Sequence, residues 1–160
     1  MISGLLLFLI GVGAWYLLQH SGEAPDFTLT DLEGNVFRLS DFRGRVVLLE
    51  FMATWCGACR ASMPSLKEIW TRYSRQIVLI SISVDPASDT EDVLIEWTRH
   101  YGAGWIHARD TSDPRVTQLY GIKVIPTYIL IDKRGIIRYR YEGLTSKETL
   151  SERIAELLRE

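Results

Sequence analysis

Two long apolar runs without polar alternation limit the folds open to this chain. Arg45–Ala53 is apolar on both faces apart from Arg45 and Glu50, and Ile77–Val84 is a second continuous apolar run. Strands buried on both sides belong in the middle of a sheet covered by helices. The first run leads straight into Trp55-Cys56-Gly57-Ala58-Cys59-Arg60, where a helical pattern begins. Cys59, Met63, Leu66, Trp70 and Tyr73 recur at helical spacing, which predicts a helix from Ala58 to about Tyr73, kinked by Pro64. A strand therefore hands a cysteine pair to a helix N-terminus at the centre of an α/β domain.

The remaining punctuation places the other elements. Phe27–Thr30 and Val36–Leu39 are short alternating runs joined by Asp31-Leu32-Glu33-Gly34-Asn35, which reads as a β-hairpin. Ser40–Gly44 is one helical turn closed by glycine. Asp85–Asp89 is a loop supplying caps to a helix of about Thr90–Tyr101, with Val93, Leu94 and Trp97 as its buried stripe. Trp105–Ala108 is a short strand. Asp113-Pro114 predicts an N-cap and first-turn proline for a short helix ending at Gly121. Strands Thr127–Ile131 and Ile136–Tyr141 flank a turn at Asp132–Gly135, and Thr145–Glu148 has capping-box spacing ahead of a final helix. Leu150, Ile154, Leu157 and Leu158 face inward from that helix. The order predicts one domain, residues 21–160, built on a mixed sheet between helices.

Residues 1–20 carry no Lys, Arg, Asp or Glu, and Ile2–Leu18 is almost unbroken apolar sequence. As a helix this run would reach about 26 Å, slightly under a ~30 Å hydrocarbon core. Trp15 and Tyr16 stand where interfacial aromatics are expected. The reading is an N-terminal transmembrane anchor or uncleaved signal over residues 1–20. A cleaved signal peptide, with a weak site at Gly22-Glu23-Ala24, and a buried core helix are the alternatives. A net charge of −2 over 160 residues gives no reason to expect a nucleic-acid partner.

The chain has only two cysteines, and they form one Cys-x-x-Cys pair. Such a pair at a helix N-terminus reads as a dithiol/disulfide redox centre. Cys56 meets unpaired N–H groups and the helix dipole, so its thiol pKa is expected below the usual ~8.5, making it the attacking thiolate. Cys59 points into the helix–sheet interface and is the expected resolving thiol. Arg60 either adds positive potential or is a solvated cation. A zinc site lacks a second cysteine pair, since His20, His100 and His107 are scattered. A structural role is weak too, because so short a disulfide loop restricts little chain entropy. A domain without spare thiols suits an oxidising compartment, placing it outside the cytoplasmic membrane. Glu50, a carboxyl within a doubly buried run, is expected to have a raised pKa and to exchange a proton with Cys59. A strand-end acid that reaches solvent or a cation is the alternative.

The sequence resembles the thioredoxin superfamily and, within it, the membrane-tethered TlpA/ResA-like thiol-disulfide oxidoreductases. The matching motifs are Trp55-Cys56-Gly57-Ala58-Cys59, Pro64, and Val124-Ile125-Pro126-Thr127 before a strand, with Met63-Pro64 and the Ala24-Pro25-Asp26-Phe27 opening typical of the tethered branch. The resemblance spans about residues 24–158 and implies a thioredoxin fold with an N-terminal β-hairpin and a central helix–strand insertion. It implies a cis Pro126 facing the disulfide, exposing Ile125 for pairing with an extended substrate beside Cys56. It also implies that Trp55 shields the disulfide, and it places Glu50 where thioredoxins carry a buried aspartate. Trp70, Trp97 and Trp105 are expected to be packing residues. Gly57-Ala58 lacks the family's usual proline, which leaves the redox direction open.

These features predict an extracytoplasmic, membrane-anchored oxidoreductase, a monomer needing no cofactor beyond its Cys56–Cys59 disulfide and no metal. Trp55, Gly57, Ala58 and Ile125 would contact substrate; Cys56, Cys59, Glu50 and Pro126 would carry the chemistry. The resemblance implies protein disulfides as substrates, apocytochrome c among them, and a membrane thiol donor of CcdA or DsbD type. A thiol peroxidase is a second reading, although no Pro-x-x-x-Thr-x-x-Cys pattern precedes either cysteine. A copper-delivery module is a third, with the wrong cysteine spacing.

Overall fold

The structure, a computed structural model, describes residues 22–160. Strands β1 (Thr28–Thr30) and β2 (Val36–Arg38) form the expected antiparallel hairpin. Its turn is organised by the Asp31 carboxylate, which accepts from the backbone N–H groups of Glu33 (2.9 Å) and Asn35 (2.8 Å). A single 3-10 turn, Leu39–Phe42, leads to β3 (Val46–Met52). Then follow α1 (Gly57–Tyr73), β4 (Ile77–Ser83), α2 (Glu91–Tyr101), β5 (Ile106–Arg109), α3 (Val116–Leu119), β6 (Thr127–Ile131), β7 (Ile137–Glu142) and α4 (Lys147–Arg159).

The main sheet has the order β5-β4-β3-β6-β7. β3 and β4, the two apolar runs, lie at its centre and pair in parallel, while β6 and β7 run antiparallel. Every residue of both central strands is buried. Alternation divides the β3 side chains between two cores. Leu48 and Met52 pack beneath α1 and α4 with Cys59, Met63, Leu66 and Ile154. Val47, Leu49 and Phe51 pack on the other face against the hairpin residues Phe27, Leu29 and Phe37 and against Val116 of α3. The hairpin also docks on the sheet edge, with Asp31 bridging Ala108 and Leu32 N–H donating to the His107 carbonyl.

Several local cues resolve differently from expectation. Val93 is exposed; only Leu94 and Trp97 form the buried stripe of α2. Asp113 does not cap α3, because the helix begins at Val116, beyond the reach of an Asp113 N-cap; the Asp113–Pro114 peptide is cis. The cap comes from buried Asp110, whose carboxylate accepts from Val116 N–H (2.7 Å), Thr117 N–H (3.0 Å) and the Thr117 hydroxyl (2.6 Å). The cap of α4 is Ser146, one residue later than the capping-box spacing suggests. Leu158 is half-buried, while Leu150, Ile154 and Leu157 enter the core.

The chain enters the fold at the end of the sheet remote from Cys56. Gly22 and Ala24 hydrogen-bond to Ile137 and Gly135, beside the β6–β7 turn. β6 reaches that turn after running antiparallel to β3, away from the cysteine end. The predicted anchor, residues 2–18, lies outside the described residues. Among those described, no helix is long and apolar enough to cross a membrane.

Candidate active site

Cys56 and Cys59 form a disulfide with Cα atoms 5.2 Å apart. Cys56 is the N-cap of α1, and its Sγ accepts from the Cys59 N–H at 3.1 Å. That donor belongs to the first helical turn, whose N–H groups have no intrahelical acceptor. It therefore favours negative charge on the Cys56 sulfur when the disulfide opens. The two sulfurs are unequal in access: Cys56 retains 7% exposure and Cys59 none. The attacking position keeps a small accessible area, and the resolving position is sealed beneath the helix.

Pro126 arrives at this site from 70 positions down the chain. The Ile125–Pro126 bond is cis, and Cys56 Sγ lies 3.9 Å from the Ile125 carbonyl oxygen. Gly143 N–H donates to the Pro126 carbonyl, and the Thr127 hydroxyl donates to the Val124 carbonyl, fixing the turn on both sides. Gly57 is exposed and Ala58 half-buried at the helix start. Trp55 is 56% exposed, and its indole N–H donates to Asp85 Oδ2 at 3.0 Å. It forms part of the site's rim, with Val124 also exposed beside Ile125. Arg60 donates from Nη2 to the Trp55 carbonyl, which keeps its guanidinium close to the motif.

Glu50 is fully buried on the α1 side of the sheet, alternating with Leu48 and Met52. Burial raises its pKa to about 7, partly opposed by a hydrogen bond from the Ser81 hydroxyl to Oε2 at 2.5 Å. It reaches neither solvent nor a cation. Ser81 in turn accepts from Trp105 Nε1 at 2.8 Å, so Trp105 has a polar contact in addition to its packing.

Asp89 is the site residue that the sequence conceals most completely. Buried at the end of the β4–α2 loop, it accepts from Thr54 N–H (3.1 Å), the Thr54 hydroxyl (2.5 Å) and the Ser83 hydroxyl (2.5 Å). It thereby ties the loop before Trp55-Cys56 to the end of β4, while Thr90 caps α2. Its position in a polar loop suggests only a cap; the contact with Thr54 depends on β3 and β4 being neighbours.

A Cys-x-x-Cys disulfide at a β3–α1 junction, faced by a cis-proline loop, defines a thioredoxin-like thiol-disulfide oxidoreductase. The chain belongs to the AhpC/TSA family, whose model matches residues 21–140. It is similar to the thiol-disulfide oxidoreductase ResA of Bacillus cereus, at 35% identity over 140 residues, covering 88% of this chain and 79% of that protein. The thioredoxin-like protein YneN of Bacillus subtilis is 26% identical over 160 residues, covering 94% and 93% of the two chains. Among solved structures, a thiol:disulfide interchange protein of DsbE type from Chlorobium tepidum superposes with TM-score 0.75 and 32% identity, covering 85% of this chain and 95% of the other. The exposed lipoprotein thioredoxin Etrx1 of Streptococcus pneumoniae gives TM-score 0.70 at 29% identity, covering 83% and 100%.

Proposed function

We propose that this protein is a membrane-tethered, extracytoplasmic oxidoreductase that reduces disulfides in client proteins. The observation carrying this reading is the unequal access of the two sulfurs, with Cys56 capping α1 and retaining slight exposure and Cys59 sealed below it. In the reduced protein the Cys56 thiolate attacks a client disulfide, forming a mixed disulfide and releasing one client thiol. Cys59 loses its proton to Glu50 and attacks Cys56 Sγ. The Cys56–Cys59 bond forms, the bond to the client breaks, and the second client thiol leaves. Two electrons pass to the client, and an external dithiol donor must return them.

An extended client segment pairing near Ile125 would bring its disulfide against Cys56, with Trp55 and Val124 as an apolar rim. The sequence resemblance to TlpA/ResA-like proteins suggests apocytochrome c as one client and a CcdA- or DsbD-type membrane protein as the donor. The apolar run at residues 2–18 supports the tether. Chain entry beside the β6–β7 turn would point the dithiol away from the point of attachment.

Purified full-length chain in detergent, mixed with a disulfide-containing protein, tests the division of labour. Cys59→Ser should accumulate a mixed disulfide through Cys56, and Cys56→Ser should accumulate none. Adducts formed through Cys59 would reverse the roles. A reduction potential near the roughly −270 mV of thioredoxin fits a reductant, whereas one near −120 mV describes an oxidase. Protease added to spheroplasts should digest the domain; protection behind an intact membrane would place it in the cytoplasm.

A further inference from the structure

Beneath α1, four strands place a polar side chain at one level. Tyr128 of β6 is the register partner of Glu50, Glu50 of Ser81, and Ser81 of His107 on β5. All four are buried. Within this row the hydrogen bonds have a fixed direction. An indole N–H can only donate, so at the Trp105 Nε1–Ser81 Oγ contact of 2.8 Å the serine oxygen is the acceptor. While Glu50 is ionised its carboxylate has no proton to give, so the Ser81 hydroxyl donates to Oε2, 2.5 Å away. Oε2 is thereby held as an acceptor, while Oε1 has no hydrogen-bond partner among the described residues. Oε2 is therefore occupied when ionised Glu50 takes up a proton, and Oε1 is the oxygen free to receive it.

We propose that Ser81 and Trp105 are positioning residues for the redox reaction, orienting Glu50 so that Oε1 carries the proton exchanged with Cys59. This rests on the reading of Cys56–Cys59 as a disulfide-reducing pair. In the step concerned, the Cys59 thiol proton passes to Oε1, directly or through one water. The Cys59 sulfur then bonds to Cys56 Sγ, and the departing sulfur leaves with the electron pair of the broken bond. Trp105 immediately precedes β5, so the helix–strand segment between β4 and β6 reaches the proton-handling residue.

The surroundings make the Ser81 bond the main tuning contact. The titratable groups on this face are Tyr128 on β6, His107 on β5, Cys59 and Tyr73 on α1, and Tyr139 and Tyr141 at the β7 margin. α2 adds Trp97 and half-buried Tyr101, and α4 adds Leu150, Ile154 and Leu157. At the β7 margin, Arg153 of α4 lies over the Tyr139 ring and pairs with Glu156, which accepts from the Tyr139 hydroxyl. Among the described residues no cation bonds to Glu50, and burial pushes the His107 pKa down to about 3. Burial lifts Glu50 to about 7, and only the Ser81 hydrogen bond works against it.

The test is the pH dependence of the resolving step in the full-length chain. Reaction of the reduced protein with 5,5′-dithiobis(2-nitrobenzoate) forms an adduct on Cys56, and stopped flow follows the second thionitrobenzoate released by Cys59. Ser81→Ala should move the acid limb of this rate profile upward by about one pH unit. Trp105→Phe should move it the same way by less, and Ser81→Thr should restore it. Neither Ser81→Ala nor Trp105→Phe should move any limb in a Glu50→Gln background, and Cys56 alkylation by iodoacetamide should be unchanged throughout. An unmoved limb overturns the proposal, as does an equal shift in the Glu50→Gln background; Ser81→Thr and Trp105→Phe decide it if Ser81→Ala fails to fold. Second-thiol release as fast in Cys59→Ser as in the parent would instead overturn the dithiol reading beneath it.

Discussion

Glu50 and Asp89 are two buried carboxyls with different tasks, and their partners decide which is which. Asp89 is saturated with donors, so its carboxyl oxygens hold the Thr54 loop in place. Asp89→Ala should leave those donors unpaired in the interior and cost about 3 kcal/mol in urea unfolding; a loss below 1 kcal/mol would mean the loop is held by other contacts. Glu50 has one donor and an unpartnered oxygen, an arrangement suited to gaining and losing a proton. Glu50→Gln should slow disulfide reduction on the order of 100-fold while Cys56 alkylation stays nearly unchanged. Equal reduction rates in both proteins would remove Glu50 from the chemistry. The sequence makes Glu50 visible because it interrupts an apolar strand. Asp89, Ser81 and Trp105 stay hidden because they sit in ordinary contexts and acquire meaning only from neighbours across the sheet.

Elements are legible where periodicity is long and ambiguous where a cap must be chosen between adjacent polar residues. The doubly apolar runs locate β3 and β4, and helical spacing locates α1, all with ends within one residue of expectation. Capping cues fail by small offsets. Thr145 and Ser146 are both good caps, yet only the Ser146 hydroxyl accepts from Thr149 N–H, while Thr145 donates to the Gly143 carbonyl. Ser146→Ala should therefore cost about 1 kcal/mol and Thr145→Ala less than half of that, measured by thermal unfolding. The reverse order would restore the capping box. Gly135 is constrained from outside its own turn. It has φ +83° and lies under the Arg43 guanidinium, which also pairs with Glu23 where the chain enters. No local signal in Asp132–Gly135 reveals the visitor from position 43.

At the scale of the whole molecule, one face of one sheet joins the redox centre to an acid and a base whose titrations oppose each other. Glu50 has a native pKa of about 7 against 4.5 for the free carboxyl. Between these values the folded chain keeps a proton that the unfolded chain releases, so this group makes stability fall as pH rises from 4.5 to 7. His107 has a native pKa of about 3 against 6.5. The unfolded chain takes up a proton that the buried ring refuses, so this group makes stability rise from pH 3 to 6.5. Across the overlap, pH 4.5–6.5, the two slopes cancel, each being at most about 1.4 kcal/mol per pH unit. Substitution should unmask them. With the disulfide intact, Glu50→Gln should give a stability difference from the parent that grows in the variant's favour as pH rises from 4.5 to 7. His107→Gln should give the opposite trend, the variant losing ground to the parent between pH 3 and 6.5. Denaturant titrations of the three proteins at half-unit pH intervals read this directly. Parallel curves would mean that Glu50 and His107 titrate alike in the folded and unfolded chains, contrary to their burial.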